Sequence, residues 1–184
     1  VPAAPIDDII RRGMTETPDF PEPGILFRDL SGLFADPEGL PAVGAALVGR
    51  DDEPSPFGHL DAVVGIEARG FVLGTAAAMA GGLGMLAVRK AGKLPGDVLT
   101  ERYALEYGTA ALEVHPDTLP AGSRVLLVDD VLATGGTVAA TVRLMRRAGW
   151  VVAGISVVIE LDGLGGRAVV AAETDAPVHP LLVL

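Results

Sequence analysis

The stretch "VLLVDDVLATGGT", Val125 to Thr137, decides the fold. Apolar residues run into two adjacent acids, and the acids into a small turn with hydroxyls and paired glycines. The spacing predicts a strand ending at Val128, a turn through Ala133, Thr134, Gly135 and Gly136, and a helix starting near Thr137. Such a turn leaves backbone N–H groups unpaired at a helix N-terminus, where the helix dipole also favours an anion. Paired glycines let the backbone approach a ligand with no Cβ in the way.

Asp129 and Asp130 narrow what that cradle could hold. They would repel an anion placed against them, but they accept hydrogen bonds from hydroxyls. A ligand with a phosphate at one end and a vicinal diol beside it satisfies both halves, and ribose 5-phosphate has that shape. The bland alternative is a helix N-cap turn preceded by two solvated acids. Neither G-x-x-x-x-G-K-[ST] nor G-x-G-x-x-G after the first strand is present, which sets aside the nucleotide triphosphatase and dinucleotide sites.

Outward from this motif, apolar runs rich in β-branched residues recur at "DAVVGI" (61–66), "MLAV" (85–88), "RVLLVD" (124–129), "VVAGISVVIE" (151–160) and "PLLVL" (180–184). Several are apolar on both faces, as strands covered by helices on both sides should be. Helix-like segments lie between them at Gly39 to Arg50, Gly70 to Ala80 and Thr137 to Ala148, the last closing on "RRAG" with Gly149 as a stop. This alternation predicts an α/β fold with a mainly parallel sheet flanked by helices. Two segments break it. Residues 19–34 hold too many prolines for a core helix, and residues 89–114 form a long, charged excursion expected to be a lid or binding loop. "EPSPFG" (53–58) reads as an ordinary surface connection.

A chain of 184 residues suits one compact domain, 1–184, with residues 1–34 as a small N-terminal hood. A net charge of −10 favours neither nucleic acid nor a membrane surface as partner, since both need a basic face. With no cysteine there are no disulfides, thiolates or Cys-based metal sites, which suits a reducing cytoplasm. The uncharged run from Gly70 to Val88 is broken by "GGLG", so it reads as helix, turn and strand rather than a membrane span. "VPAAPIDDII" lacks the order of a secretory signal, and the missing initiator Met is read as processing or trimming. His59, His115 and His179 are scattered and read as surface or structural, and Trp150 as packing on the sheet.

"VLLVDDVLATGGT" resembles the phosphoribosyl-pyrophosphate signature of the type I phosphoribosyltransferases. Taken with "FPEPGILFRDL", "GIEARGF", "VRKAGKLPG", "LEYGTAALEVH" and "VIELDGLGGR", the chain resembles the adenine phosphoribosyltransferase family from about Phe20 to its end. The resemblance implies purine salvage: adenine plus 5-phosphoribosyl 1-pyrophosphate giving AMP and pyrophosphate. It also implies magnesium, held mainly by the ligand and water rather than by direct protein ligands, and a homodimer. By the same resemblance, Asp129 and Asp130 face the ribose hydroxyls and support positive charge on the sugar, while Ala133, Thr134, Gly135, Gly136 and Thr137 hold the 5-phosphate.

Pyrophosphate would meet Glu67 and Ala68 as a loop of unusual peptide geometry, with cations from Arg69, Arg89, Lys90 and Lys93. A solvated basic cluster is the alternative for those four. Adenine would stack on Phe27 and be read by the main chain of Leu26 and Arg28, where a core role is the alternative for the ring. The family points to Glu106, beside Tyr107 on the long loop, for the purine proton; a solvated glutamate is the alternative. Two rival functions remain open at this level: a transferase for xanthine or another base, and a phosphoribosyl-pyrophosphate-sensing regulator that has lost catalysis. The regulator is disfavoured by the acidic charge and by the lack of room for a nucleic-acid-binding domain.

Overall fold

The structure is a computed structural model, and it describes residues 4–49, 55–104 and 109–184. Its elements run α1 (Ile6–Gly13), β1 (Thr15–Pro18), β2 (Leu26–Asp29), α2 (Ser31–Ala35), α3 (Gly39–Leu47), β3 (Ala62–Ile66), α4 (Arg69–Gly81) and β4 (Gly84–Lys90). They continue with β5 (Leu99–Ala104), β6 (Thr109–Val114), β7 (Arg124–Leu132), α5 (Gly136–Arg147), β8 (Val151–Glu160), α6 (Gly166–Ala171) and β9 (Val178–Val183). A seven-stranded sheet in the order β5-β6-β4-β3-β7-β8-β9 forms the centre. The strands from β4 to β9 in that order are parallel, and β6 and β5 extend the β4 edge antiparallel. The predicted α/β class with a mainly parallel, helix-flanked sheet is what the chain forms.

The doubly apolar strands explain this layering. Along β7, Val125 and Leu127 enter a core with Val138, Leu144 and Met145 of α5, whereas Leu126 and Val128 enter a second core with Val43 and Leu47 of α3 and Leu73 of α4. Successive side chains of a strand point to opposite faces, so a run without polar residues can be stable only between two helical layers. α4 ends where Gly82 turns left-handed at φ 65°, which lets Leu83 N–H return to Ala78 O at 2.8 Å. That break stops the apolar segment after α4, and among the described residues no helix is long and apolar enough to cross a membrane.

Strand order places the site. From β3 the chain crosses to β4 on one side, and from β7 it crosses to β8 on the other. The two connections diverge between β3 and β7, opening a crevice at the carboxyl ends of these parallel strands. Glu67 and Asp129 stand at that edge.

Several local expectations change. β7 does not stop at Val128 but pairs with β8 as far as Leu132, opposite Glu160, so the two acids lie inside a strand. α5 begins at Gly136 rather than Thr137, and α3 ends at Leu47 before Gly49 turns at φ 67°, with Arg50 outside the described residues. Within the 89–114 excursion, 99–104 and 109–114 form the antiparallel pair β5–β6 rather than an open loop. Its acids are held: Glu101 by Arg143 at 2.7 Å and Arg147 at 2.9 Å, Glu113 by the N–H of Gly92 at 2.9 Å.

The 53–58 connection is more than surface, because Phe57 is buried against β8 where Gly154 leaves room for its ring. α1 and α6 were not anticipated. α1 places Asp7 and Asp8 in its first turn and Arg11 and Arg12 in its last, complementing the helix dipole, and buries Ile10. Trp150 is buried and donates from its ring N–H to Leu119 O at 3.2 Å. His59 meets Asp61, His115 meets Asp97 O, and His179 lies edge-on to Phe57.

Candidate active site

The crevice is a cleft of about 540 Å³ lined by Glu67, Ala68, Arg69, Lys90, Tyr103, Leu112, Asp129, Asp130, Ala133 and Thr137 among others. Residues from four separate sequence blocks therefore share one wall. At its far end Ala133, Thr134, Gly135, Gly136 and Thr137 enclose a smaller hollow of about 70 Å³. Gly135 occupies the N-cap of α5 with φ 83°, and no side chain caps that helix, so its first-turn amides stay available to an anion. The cradle expected of the glycine turn is thus built from backbone.

Asp130 is nearly buried, 8% exposed, and its Oδ2 lies 2.5 Å from Nη2 of Arg69. Asp129 accepts the N–H of Asp130 at 2.9 Å. Burial, and then the charge of Asp130, hold the Asp129 carboxyl well above the usual carboxylate range. Two adjacent acids in a partly closed cleft thus resist carrying two negative charges together. Anything positive that arrives or develops between them relieves that cost, so the pair is complementary to cationic charge.

This has a measurable consequence for stability. A carboxyl whose folded pKa is raised costs the fold nothing while it is protonated in both the folded and unfolded states, costs progressively more as pH climbs from the unfolded value, about 3.9, and levels off above the raised one. Asp129→Asn should therefore raise Tm relative to the parent at pH 8, and the gain should fade toward zero near pH 4. A Tm difference that stayed constant across this range would contradict the coupled burial of the pair.

Glu67 follows β3, and its peptide bond to Ala68 is cis. Its carboxylate accepts the N–H of Lys90 at 2.8 Å and Nε of Arg89 at 3.2 Å, and these contacts, the Lys90 N–H foremost, hold it below the usual range. Its charge is therefore engaged by β4 rather than presented as a free anion. Gly70, the second residue of α4, explains how close this loop sits to β7: a Cβ there would meet Val128 O at 2.9 Å.

The hood closes the other side. β1 and β2 pair antiparallel, with Phe27 on β2 set edge-on to Phe20 at 5.1 Å. Arg69 joins hood to cleft: its Nη1 donates to Arg28 O at 3.2 Å and its guanidinium lies 5.4 Å from the Phe27 ring centroid. Arg28 itself turns to Glu16 at 3.3 Å, leaving its carbonyl to the site.

Of the residues singled out from sequence, Glu67, Ala68, Arg69, Lys90, Asp129, Asp130, Ala133 and Thr137 meet around the main cleft. Thr134, Gly135 and Gly136 line the adjoining hollow, and Phe27 and Arg28 reach the cleft through Arg69. Leu26 is exposed on the same strand. Arg89 instead packs against Glu67 and over Phe71 at 5.7 Å, and Lys93 is exposed outside the cleft-lining set. Glu106 and Tyr107 lie outside the described residues. Sequence reasoning missed Tyr103, which lines the cleft and meets the hydroxyl of Thr137 at 3.4 Å. Its signal was the alternation of Leu99, Glu101 and Tyr103, hidden by the assumption of a loop.

Chemically, the cleft combines acids suited to hydroxyls and positive charge, an adjoining backbone cradle for an anion, and the cations Arg69 and Lys90, of which Arg69 also meets the aromatic hood. Comparison with known proteins bears on the same arrangement. A family model described as the phosphoribosyl transferase domain matches residues 31–172. The chain is 58% identical over 184 residues to the adenine phosphoribosyltransferase of Clavibacter sepedonicus, covering 100% of this chain and 92% of that one. It is 58% identical over 171 residues to that of Renibacterium salmoninarum, covering 92% and 91%.

Among solved structures, the adenine phosphoribosyltransferase of Rhodothermus marinus superposes with a TM-score of 0.85 at 44% identity, covering 97% of this chain and 98% of that one. The enzyme of Saccharomyces cerevisiae, complexed with an imino-altritol bisphosphate and adenine, gives 0.88 at 37% identity, covering 96% and 98%. With the glycine cradle, the acid pair and the hood in one crevice, and relatives matched along nearly their whole length, the chain belongs to the adenine phosphoribosyltransferase family of phosphoribosyl transferase domain proteins.

Proposed function

We infer that the protein is a purine-salvage enzyme that transfers the 5-phosphoribosyl group of 5-phosphoribosyl 1-pyrophosphate to adenine, giving AMP and pyrophosphate. The carrying observation is that the acid pair, Arg69 and Lys90 line one cleft, that the backbone cradle adjoins it through Ala133 and Thr137, and that Arg69 ties it to the hood. In the reaction a ring nitrogen of adenine bonds to the anomeric carbon as the bond to pyrophosphate breaks. The nitrogen loses its proton, and the sugar is most positive between the two events.

Each group has a part in this reading. Ala133 to Thr137 grip the 5-phosphate through amides and hydroxyls, fixing one end of the sugar. Asp129 and Asp130 accept the ribose hydroxyls and stabilise the cationic sugar, for which their mutual repulsion prepares them. Arg69 and Lys90 meet the departing pyrophosphate beside the Glu67–Ala68 turn. Phe27 stacks on adenine while the main chain of Leu26 and Arg28 reads its edge, and Glu106 takes the base proton.

Magnesium enters with the substrate. Among the described residues no three His, Asp or Glu side chains group as a metal cage. A pair of acids with a pyrophosphate alongside fits an ion coordinated mainly by substrate oxygens and water. We place the reaction in the cytoplasm, which the absence of cysteine suits. We also take the working form to be a homodimer, for which the exposed Val72 and Met79 on the outer side of α4 offer apolar surface.

The test is turnover with 5-phosphoribosyl 1-pyrophosphate, magnesium and a panel of adenine, hypoxanthine, guanine and xanthine. Release of pyrophosphate with adenine well ahead of the others is expected. Equal rates with several bases would overturn the adenine assignment, and binding of the sugar pyrophosphate without turnover would identify a regulator. Within this scheme, Phe27→Ala should raise the KM for adenine about 10-fold, since stacking of a base on an aromatic ring contributes about 1–3 kcal/mol. The KM for the sugar pyrophosphate should hardly move; an unchanged adenine KM would return Phe27 to a packing role.

A further inference from the structure

The phosphate loop has little with which to hold its own shape. Ala133, Thr134, Gly135 and Gly136 carry no large side chain, so the geometry of their amides depends on what leans against them. The neighbour is the start of α6. A Cβ on Gly135 would meet Gly166 O at 2.5 Å, and a Cβ on Gly166 would run into the carbonyl of Ala133. Loop and helix therefore touch backbone to backbone, with no side chain between to absorb a displacement.

Arg167, the next residue, anchors that contact. Its Nε donates to Glu160 Oε1 at 2.9 Å, its Nη2 to the other carboxylate oxygen, and its Nη1 to Val178 O on β9 at 3.1 Å. Glu160 is buried at the end of β8, directly opposite Leu132, the last residue of β7 before the loop. Leu161 N–H then bonds Leu132 O at 2.9 Å. The two-pronged ion pair thus ties the start of α6 to the same strand pair from which the phosphate loop emerges. Planar forks of this kind fix orientation as well as distance.

We propose that Glu160 and Arg167 are positioning residues for the 5-phosphate end of the site, acting through the backbone of Gly166 on Ala133 and Gly135. The proposal rests on the phosphoribosyl-transfer reading, and it separates the two ends of the cleft. Losing the fork loosens the grip on phosphate but leaves the hood, the acid pair and the base site as they are. Arg167→Ala should raise the KM for 5-phosphoribosyl 1-pyrophosphate about 10-fold, the scale expected when binding groups shift by a fraction of an ångström. The KM for adenine and the kcat at saturation should stay within about twofold, since neither end of the acid pair is touched.

Arg167→Lys keeps the charge without the fork and should recover only part of the loss. Glu160→Gln should match Arg167→Ala, and the double variant should be no worse than either alone, as for one shared contact. Ribose 5-phosphate affinity, read by calorimetry, should weaken by the same factor in each variant. That arm needs no turnover, so a wild-type protein without transferase activity would defeat the functional reading while still testing the clamp. If either variant fails to fold, Gly166→Ala probes the same contact from the α6 side and should show the same split. Unchanged sugar-pyrophosphate KM and ribose 5-phosphate affinity, or a parallel fall in every parameter with adenine included, would overturn the proposal.

Discussion

Asp130→Asn should lower kcat about 100-fold, roughly 3 kcal/mol of transition-state stabilisation, while AMP affinity should fall by no more than a few-fold. The asymmetry follows from where charge appears. AMP is neutral at its sugar, and an amide oxygen still accepts a hydroxyl hydrogen bond almost as well as a carboxylate does. The sugar is cationic only while the bond to pyrophosphate is broken, and only then does the lost negative charge matter. The structure adds a reason for a large effect. Asp130 is nearly buried beside Asp129, where solvent screens little, and it is already held by Arg69 at 2.5 Å. Steady-state kinetics with an AMP titration decide it: kcat within about threefold of the parent would remove the electrostatic role assigned to the acid.

Gly135→Ala should raise the KM for 5-phosphoribosyl 1-pyrophosphate by about 100-fold, because displacing a phosphate cradle by about an ångström costs that much in positioning. Two physical costs combine at this residue. Its φ of 83° is a conformation that side chains rarely adopt, and its Cβ would sit 2.5 Å from Gly166 O. Gly122 separates these costs, since it has φ 84° but open space around it. Gly122→Ala should lower Tm through backbone strain and leave the kinetics alone. Equal kinetic losses in both variants would show that general destabilisation, rather than the cradle, limits substrate binding.

Much of this site could be read before any fold was known, and the reason is local. A glycine turn between an apolar strand and a helix has one main use for its free amides, and adjacent acids restrict what sits beside it. Sequence neighbours therefore report on one another over the span from Val125 to Thr137. The failures also share a cause. The β5–β6 hairpin looked like a loop because its stretch is dense in charge, glycine and tyrosine, and the partners that hold Glu101, Arg143 and Arg147, lie on α5, some 40 residues away in sequence. Phe57 looked like surface because the space for its ring is made by Gly154. Tyr103 was passed over for the same reason as the hairpin that carries it.

The four cations show the limit most clearly. Adjacent or nearly so in sequence, Arg89, Lys90 and Lys93 could not be told apart, yet the strand alternates their directions. Lys90 lines the cleft, Arg89 pairs with Glu67, and Lys93 lies beyond the strand end. Arg69 shows the reverse: a residue expected only to meet pyrophosphate touches Arg28 O, Phe27 and Asp130 together.

By itself the sequence determined the α/β layering, the phosphate turn and the acid pair. These depend on periodicity and on contacts between near neighbours, which a linear chain records directly. Only the tertiary structure decided which cations face the cleft, how the hood reaches the acids through Arg69, and that α6 braces the phosphate loop through Gly166. Those relations join segments that chain order holds far apart, and they exist only once the two cores have closed on either side of the sheet.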